Sequence, residues 1–268
     1  LNIENVEAII IPSTDPHNSE YTPEHWKARE WATGFNGSAG TAVITKNSAA
    51  LWTDSRYFIQ AAHQLADTPF TLMKEGVEGT PTILEWLESE LHTGDTVAFV
   101  GEMVSIAQFE EWTATEKLNL QSVEDPFDYL WNDRPATECQ PMRIHFEHLA
   151  GESVASKLNR IREACGMTEG TYLLMNDLSE IAWTLNLRGA DVAYNPVFLS
   201  YLLIYSKGAI LFVDKRKLTP EVSEYLKETG VKVRDYNGLR TFIADHNDRD
   251  QYYMLPQTIS YDVVHYAE

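Results

Sequence analysis

Cysteine is scarce in this chain: only Cys139 and Cys165 occur among 268 residues. Two thiols are too few for a disulfide framework, and a reducing compartment is the expected setting. Positive charge is also short. Lys and Arg number 21 against 40 Asp and Glu, a formal charge of −19. Phosphate binding runs on Lys and Arg, so neither nucleic acid nor an anionic membrane surface is an expected partner. No apolar run approaches the ~20 residues of a membrane-spanning helix, and no signal-peptide pattern is visible. A cytoplasmic location is therefore expected. The chain opens on Leu1 rather than methionine, so Leu1 is not expected to be the natural start.

Residue sets that carry chemistry are missing too. His145 and His148 form an H-x-x-H pair, but zinc-protease spacing needs His-Glu-x-x-His on a helix, and Pro and Gly flank this segment. No other His, Asp or Glu falls at ligand spacing, so no metal-binding residue is assigned. Cys139 lies in a proline-rich stretch and Cys165 at the end of an expected helix, and neither is assigned a catalytic role. No nucleophile, base and oxyanion stabiliser occur together, so the catalytic set is empty.

What the chain does contain is a repetition. Displaced by 160 positions, Leu202 to Leu218 lies on Ala42 to Phe58 without a gap. Ile44 meets Ile204, Ala49 meets Ala209, Leu51 meets Leu211, Asp54 meets Asp214 and Arg56 meets Arg216. Each copy has two apolar runs split by a polar turn, which predicts a buried β-hairpin. The Asp that closes each copy suits the N-cap of a following helix.

The flanks agree with a duplication. In the first half the pattern predicts a strand at Val6 to Ile11 and a helix from Thr22-Pro23 to Gly34. The hairpin follows, then a helix from Asp54 with Phe58, Ile59, Ala62 and Leu65 on one face. A strand at Phe70 to Met73, a helix opened by Thr80-Pro81, a strand at Thr96 to Val100, a helix capped by Ser105 with Gln108, and a strand at Leu118 to Val123 complete it. Periodicity breaks from Asp125 to Gln140. The second half repeats the order, with Ala8 corresponding to Tyr172. It has a helix at Glu152 to Ala164, a strand at Thr171 to Met175 and a helix capped by Asp177 with Glu180. After the second hairpin come a helix from Thr219-Pro220, a strand at Val231 to Tyr236, a helix at Leu239 to Ala244, a strand at Gln251 to Leu255 and a helix from Ser260.

Alternating strands and helices with an inserted hairpin give an α/β fold of two tandem similar domains, each a mixed sheet flanked by helices. The expected boundaries are 1–135 for the first domain, 136–151 for a linker and 152–268 for the second. The second half starts one helix early and lacks a last strand, so a piece of a longer protein is expected.

The glycine-dense loop Gly34 to Gly40 stands out for presentation. It leads into a strand rather than a helix, which excludes a dinucleotide fingerprint, and no Lys-Ser/Thr follows to make a P-loop. Asn36-Gly37-Ser38-Ala39-Gly40 departs from the nucleophile elbow in having Asn36 at its first glycine and a strand behind it. A tight turn that needs positive φ and a loop offered to a partner or substrate both remain open.

The segments WATGFNGSAG (Trp31 to Gly40), LWTDSRYFIQA (Leu51 to Ala61) and LSEIAWTLNLRGADVAYNPVFLSYLLI (Leu178 to Ile204) closely resemble the cytosolic three-domain Xaa-Pro aminopeptidases, also called aminopeptidase P. The resemblance runs over essentially the whole chain. It implies two creatinase-N-terminal domains of ribonuclease H-like type, placed ahead of a catalytic metallopeptidase domain that this sequence lacks. That domain hydrolyses the bond between an N-terminal residue and a following proline. It uses two divalent metals, usually manganese, on Asp, Asp, His, Glu and Glu, a pattern without counterpart here. The implied partners are this catalytic domain, peptides with proline second, and a second copy in a homodimer. The implied role is to shape the active-site entrance and subunit contacts, with Phe35 and Asn36 at its border and Arg56 offering positive charge. Two alternatives stand beside it: an acidic protein-binding module of histone-chaperone type, and a small-molecule hydrolase acting through Ser38.

Overall fold

The computed structural model describes residues 5–246 and 250–265. These form two compact units, Leu1–Pro16 with Glu24–Ala136, and His17–Pro23 with Thr137–Glu268.

The first unit has β1 (Ala8–Ile11), α1 (Ala28–Thr33), β2 (Thr41–Thr45), β3 (Ala49–Thr53), α2 (Phe58–Gln64) and β4 (Phe70–Lys74). It continues with α3 (Ile83–Glu90), β5 (Thr96–Val100), α4 (Ile106–Trp112), β6 (Asn119–Val123) and α5 (Phe127–Leu130). The six strands lie in the order β4-β3-β2-β1-β5-β6. β2 runs antiparallel to both neighbours and every other pair is parallel. Every residue of β1 and β3 is buried, which requires cover on both faces of the sheet.

The second unit has β7 (Arg143–Ile144), α6 (Glu147–Ala150), α7 (Val154–Ala164), β8 (Thr171–Met175), α8 (Leu178–Thr184), β9 (Leu187–Arg188) and β10 (Ser200–Tyr205). It continues with β11 (Gly208–Val213), α9 (Pro220–Glu228), β12 (Val231–Arg234), α10 (Leu239–Asp245), β13 (Tyr252–Met254) and α11 (Tyr261–His265). Its main sheet runs β12-β11-β10-β8-β13. The hairpin strand is again antiparallel to both neighbours and the outer pairs are parallel.

The repetition in sequence is a repetition in register. In the first hairpin Ala42 faces Leu51 and Ile44 faces Ala49. In the second Leu202 faces Leu211 and Ile204 faces Ala209, the same pairs displaced by 160 positions. These strands are buried along almost their whole length, so a slip of one residue would exchange the side chains packed on the two covered faces and break both sets of contacts.

Helix starts follow side-chain capping. Asp177 accepts from the Glu180 backbone N–H at 2.8 Å, and Ser105 accepts from that of Gln108 at 3.2 Å. Thr219 caps α9 with Pro220 at its first position. Four expectations shift. Asp54 does not cap a helix: its carboxylate accepts from the Arg56 backbone N–H at 2.9 Å in a local turn, and α2 begins only at Phe58. That later start buries Ala61 and Leu65 and leaves Ile59 and Ala62 exposed. α3 is capped by Thr82 rather than Thr80, in a box with Glu85. The helix expected from Thr22-Pro23 is a 3-10 turn at Glu24–Trp26 followed by α1. Residues 136–151, expected as a linker, hold β7 and α6. There the buried Met142 donates its N–H to the Lys217 carbonyl at 2.8 Å, and β7 pairs with β9.

Candidate functional site

The loop between α1 and β2 is built from below by Arg29. The residue is 4 % exposed, and its guanidinium donates to the Phe35 and Gly37 carbonyls and to Ser13 Oγ and lies 4.8 Å from the Phe35 ring centre. Burial pulls its pKa down to about 10. Gly34 ends α1 at φ +73°, where a side chain is strained. Gly37 admits no side chain, because a Cβ there would sit 2.2 Å from Phe35 Cζ and 2.8 Å from a Tyr57 ring carbon. The conformation of the loop is therefore fixed by packing as well as by glycine.

Phe35, expected at an entrance border, has no surface. It is fully buried in the core with Leu51 and Ala61, and its ring meets Tyr57 edge-on at 5.9 Å. Tertiary contacts from Arg29 and Tyr57 cover it, so its part is to support the loop. Asn36 is exposed. Its Oδ1 accepts from Gln60 Nε2 at 2.6 Å and Gln64 Nε2 at 2.8 Å, which ties the loop to α2. Ser38 Oγ meets the Tyr57 hydroxyl at 2.6 Å, and no histidine or carboxylate hydrogen-bonds either hydroxyl among the described residues. Ser38 thus lacks the base that nucleophilic chemistry needs.

Arg56 is exposed but not a free cation. Nε and a terminal nitrogen grip the two Asp54 oxygens at 2.9 and 2.7 Å. The pair holds the Asp54 carboxyl below the usual carboxylate range and the guanidinium above its own. Burial, with the Asp54 charge adding to it, pushes the nearby Glu75 carboxyl up. The second unit repeats the device: Arg216 grips Asp214 through contacts of 2.6 to 3.1 Å, and the Asp214 carboxyl falls to about 2. A device present in both copies belongs first to the turn it closes.

Asn36, Ser38, Tyr57, Gln60 and Gln64 together make an uncharged hydrogen-bonding face beside the Asp54–Arg56 ion pair. Such a face can orient a peptide, but it cannot activate water. Among the described residues no three His, Cys, Asp or Glu converge as a metal site. Burial raises the Cys139 thiol, away from the reactive thiolate, and Cys165 is simply exposed. Among the described residues no helix is long and apolar enough to cross a membrane. Gln60 and Gln64 stand four apart on one helix and could have been suspected from that spacing. Arg29 gave no local signal, because its partners lie six, eight and sixteen positions away.

Comparison with known proteins joins these observations to a family. Aminopeptidase P2 of Arabidopsis thaliana is 39% identical over 267 residues, covering 97% of this chain and 37% of that protein. A probable Xaa-Pro aminopeptidase P of Aspergillus niger is 40% identical over 239 residues, covering 87% of this chain and 39% of that protein. The chain thus spans under two fifths of the length of these curated relatives. An X-prolyl aminopeptidase from Caenorhabditis elegans, a cytosolic enzyme with a di-nuclear active site, superposes with a TM-score of 0.89 at 28% identity. The match covers 96% of this chain and 44% of that one. The described residues here offer no ligand set that fits a di-nuclear centre. The Creatinase/Prolidase N-terminal domain matches twice, at residues 1–130 and 133–268, one match on each copy of the repeated fold. By these matches, and by the shared register of its two hairpins, the chain belongs to the Creatinase/Prolidase N-terminal domain family.

Proposed function

We propose that this chain is the non-catalytic N-terminal region of a cytoplasmic Xaa-Pro aminopeptidase, an enzyme that removes the residue ahead of proline from peptide N-termini. The observation that carries the reading is the 0.89 superposition over 96% of this chain on 44% of an X-prolyl aminopeptidase. The two divalent metals, manganese by preference, would be held by residues of a following catalytic domain. The first domain spans 1–135, and the enzyme works as a homodimer. The chain's part is to shape the mouth of the active site and the contacts between subunits.

Within that part, Asn36 and Arg56 border the substrate entrance and Phe35 holds their loop rigid. Support comes from the fixed, uncharged face described above. Its amides and hydroxyls can pair with a peptide backbone at no cost in charge desolvation. Because Arg56 is already matched by Asp54, its contribution is to orient rather than to attract. The test is kcat/KM of Asn36→Ala and Arg56→Ala in the full-length enzyme, with peptides that carry proline second. A fall of about tenfold in either variant, carried by KM, is the expected loss of binding common to ground and transition states. Unchanged values for both would remove this loop from the entrance.

A further inference from the structure

The duplication supplies an internal control for the loop that precedes each hairpin. In the first unit the chain passes from the end of α1 to β2 through residues 34–40. In the second it passes from the end of α8 to β10 through residues 185–199, more than twice as many, among them the short strand β9. Each helix is followed by a left-handed residue, Gly34 at φ +73° and Asn186 at φ +50°, so the extra residues lie beyond that shared point.

The added segment is built, not slack. The Gly189 N–H donates to the Pro196 carbonyl and the Asp191 N–H to the Val197 carbonyl, both at 3.1 Å. Asn195 closes a turn on Val192 at 3.2 Å. Gly189 packs where a Cβ would lie 2.6 Å from Phe198 Cβ. At the base, Asp191 is wholly buried, paired with the equally buried Lys217, and accepts from the Leu199 N–H at 2.7 Å. The tip of this finger is Tyr194. It is fully exposed and sits at φ +62°, in the third position of a turn where glycine is the ordinary occupant. A bulky aromatic residue strained into that conformation, with no packing to reward it, marks a functional position.

The chemistry of the tip selects a ligand class. Val192 to Leu199 contains no charged residue, and Asp191 is neutralised at the base. Arg188, which precedes the finger, donates Nη1 to the Ala182 and Leu187 carbonyls at 2.9 and 2.8 Å. The tip of the finger therefore carries no charge of its own to pair with phosphate or a carboxylate. It has a flat ring face and one hydroxyl, which suit a pyrrolidine ring stacked on the aromatic surface and a peptide carbonyl accepting the phenol proton. Resting on the reading of the chain as part of an Xaa-Pro aminopeptidase, we infer that the Gly189–Phe198 finger is a substrate-recognition element whose Tyr194 contacts the proline-containing peptide.

The test uses the full-length enzyme and the tripeptide Ala-Pro-Ala, comparing wild type with Tyr194→Ala, Tyr194→Gly and Tyr194→Phe. The Ala and Gly variants should raise KM about tenfold with kcat within twofold, the pattern of lost uniform binding. Tyr194→Phe, which keeps the ring, should stay within about threefold. The thermal midpoint of Tyr194→Gly should equal or exceed that of wild type, because the strained turn position then holds glycine. This separates a lost contact from a lost fold. An active wild type whose KM is matched within twofold by both the Ala and Gly variants overturns the finger alone. A wild type that does not cleave Ala-Pro-Ala overturns the aminopeptidase reading and the finger with it.

Discussion

The two units share a hairpin register and a strand order but spend their side chains differently. In the first unit the segment before the hairpin is held by a buried cation, Arg29, whose partners are carbonyls and a hydroxyl. In the second it is held by a buried ion pair, Asp191 with Lys217. Charge is divided unequally as well: residues 1–136 carry 22 Asp and Glu against seven Lys and Arg, residues 137–268 eighteen against fourteen. Those seven cations are all engaged. Arg29 is buried, Lys74 lies over the Phe58 ring, and the remaining five pair with carboxylates. The difference teaches that hairpin and sheet order are what the copies must keep, while the preceding loop is free to take on separate work.

That comparison can be broken most forcefully at the two buried charges. Asp191→Ala strands Lys217 in the interior and should cost about 3–5 kcal/mol in denaturant unfolding. Arg29→Met leaves the Phe35 and Gly37 carbonyls unpaired, at about 1–3 kcal/mol for each unsatisfied group. Equal and small losses from both variants would mean that neither charge holds its loop. The glycine loop gives the next largest effect. Gly37→Ala drives a methyl against the Phe35 ring, and overpacking of this kind costs about 1–3 kcal/mol by the same measurement. The loop between α8 and β10 should not feel it, which hydrogen exchange can check unit by unit.

The smallest effect compares the two Asp-x-Arg turns under acid. The Asp214 carboxyl is depressed in the folded chain to about 2, from an ordinary 3.8. A depressed carboxyl contributes stability that is present above pH ~4 and is lost as pH falls through ~2. Wild type should therefore exceed Asp214→Asn in thermal midpoint at pH 6, with the gap closing as the solution is taken from pH 4 to 2. Asp54 is lowered by the same kind of partner, so the gap between wild type and Asp54→Asn should also close, not widen, toward acid. The pairs are largely solvent-exposed, which keeps both gaps small. A gap that widens toward acid would contradict the assigned ion pairs.

Much of this was legible where the signal is local. The hairpins were readable because each strand is buried on both faces and so written in continuous apolar residues. Asp177, Ser105 and Thr219 were readable as caps because the bond they make spans three residues. Asp54 misled because the same side chain can close a shorter turn, and Arg56 two positions on rewarded that choice. Phe35 misled because a phenylalanine between a glycine and an asparagine looks like a surface loop. Its burial depends on Tyr57, 22 positions later, and on Arg29. The Asp191–Lys217 pair joins residues 26 apart, and the Tyr194 finger stands out only against the shorter loop of its sister unit. A single sequence contains the letters of such contacts but not the proximity that gives them meaning.

The central proposal is that two copies of one α/β unit accompany chemistry performed by residues outside this chain. It is tested most directly by incubating the purified 268-residue chain with Ala-Pro-Ala and manganese and following release of alanine. The expected result is a rate equal to the protein-free blank, at every protein concentration, under conditions in which the full-length enzyme turns over. Release that rises in proportion to this chain, and vanishes when a residue of this chain is substituted, would contradict it.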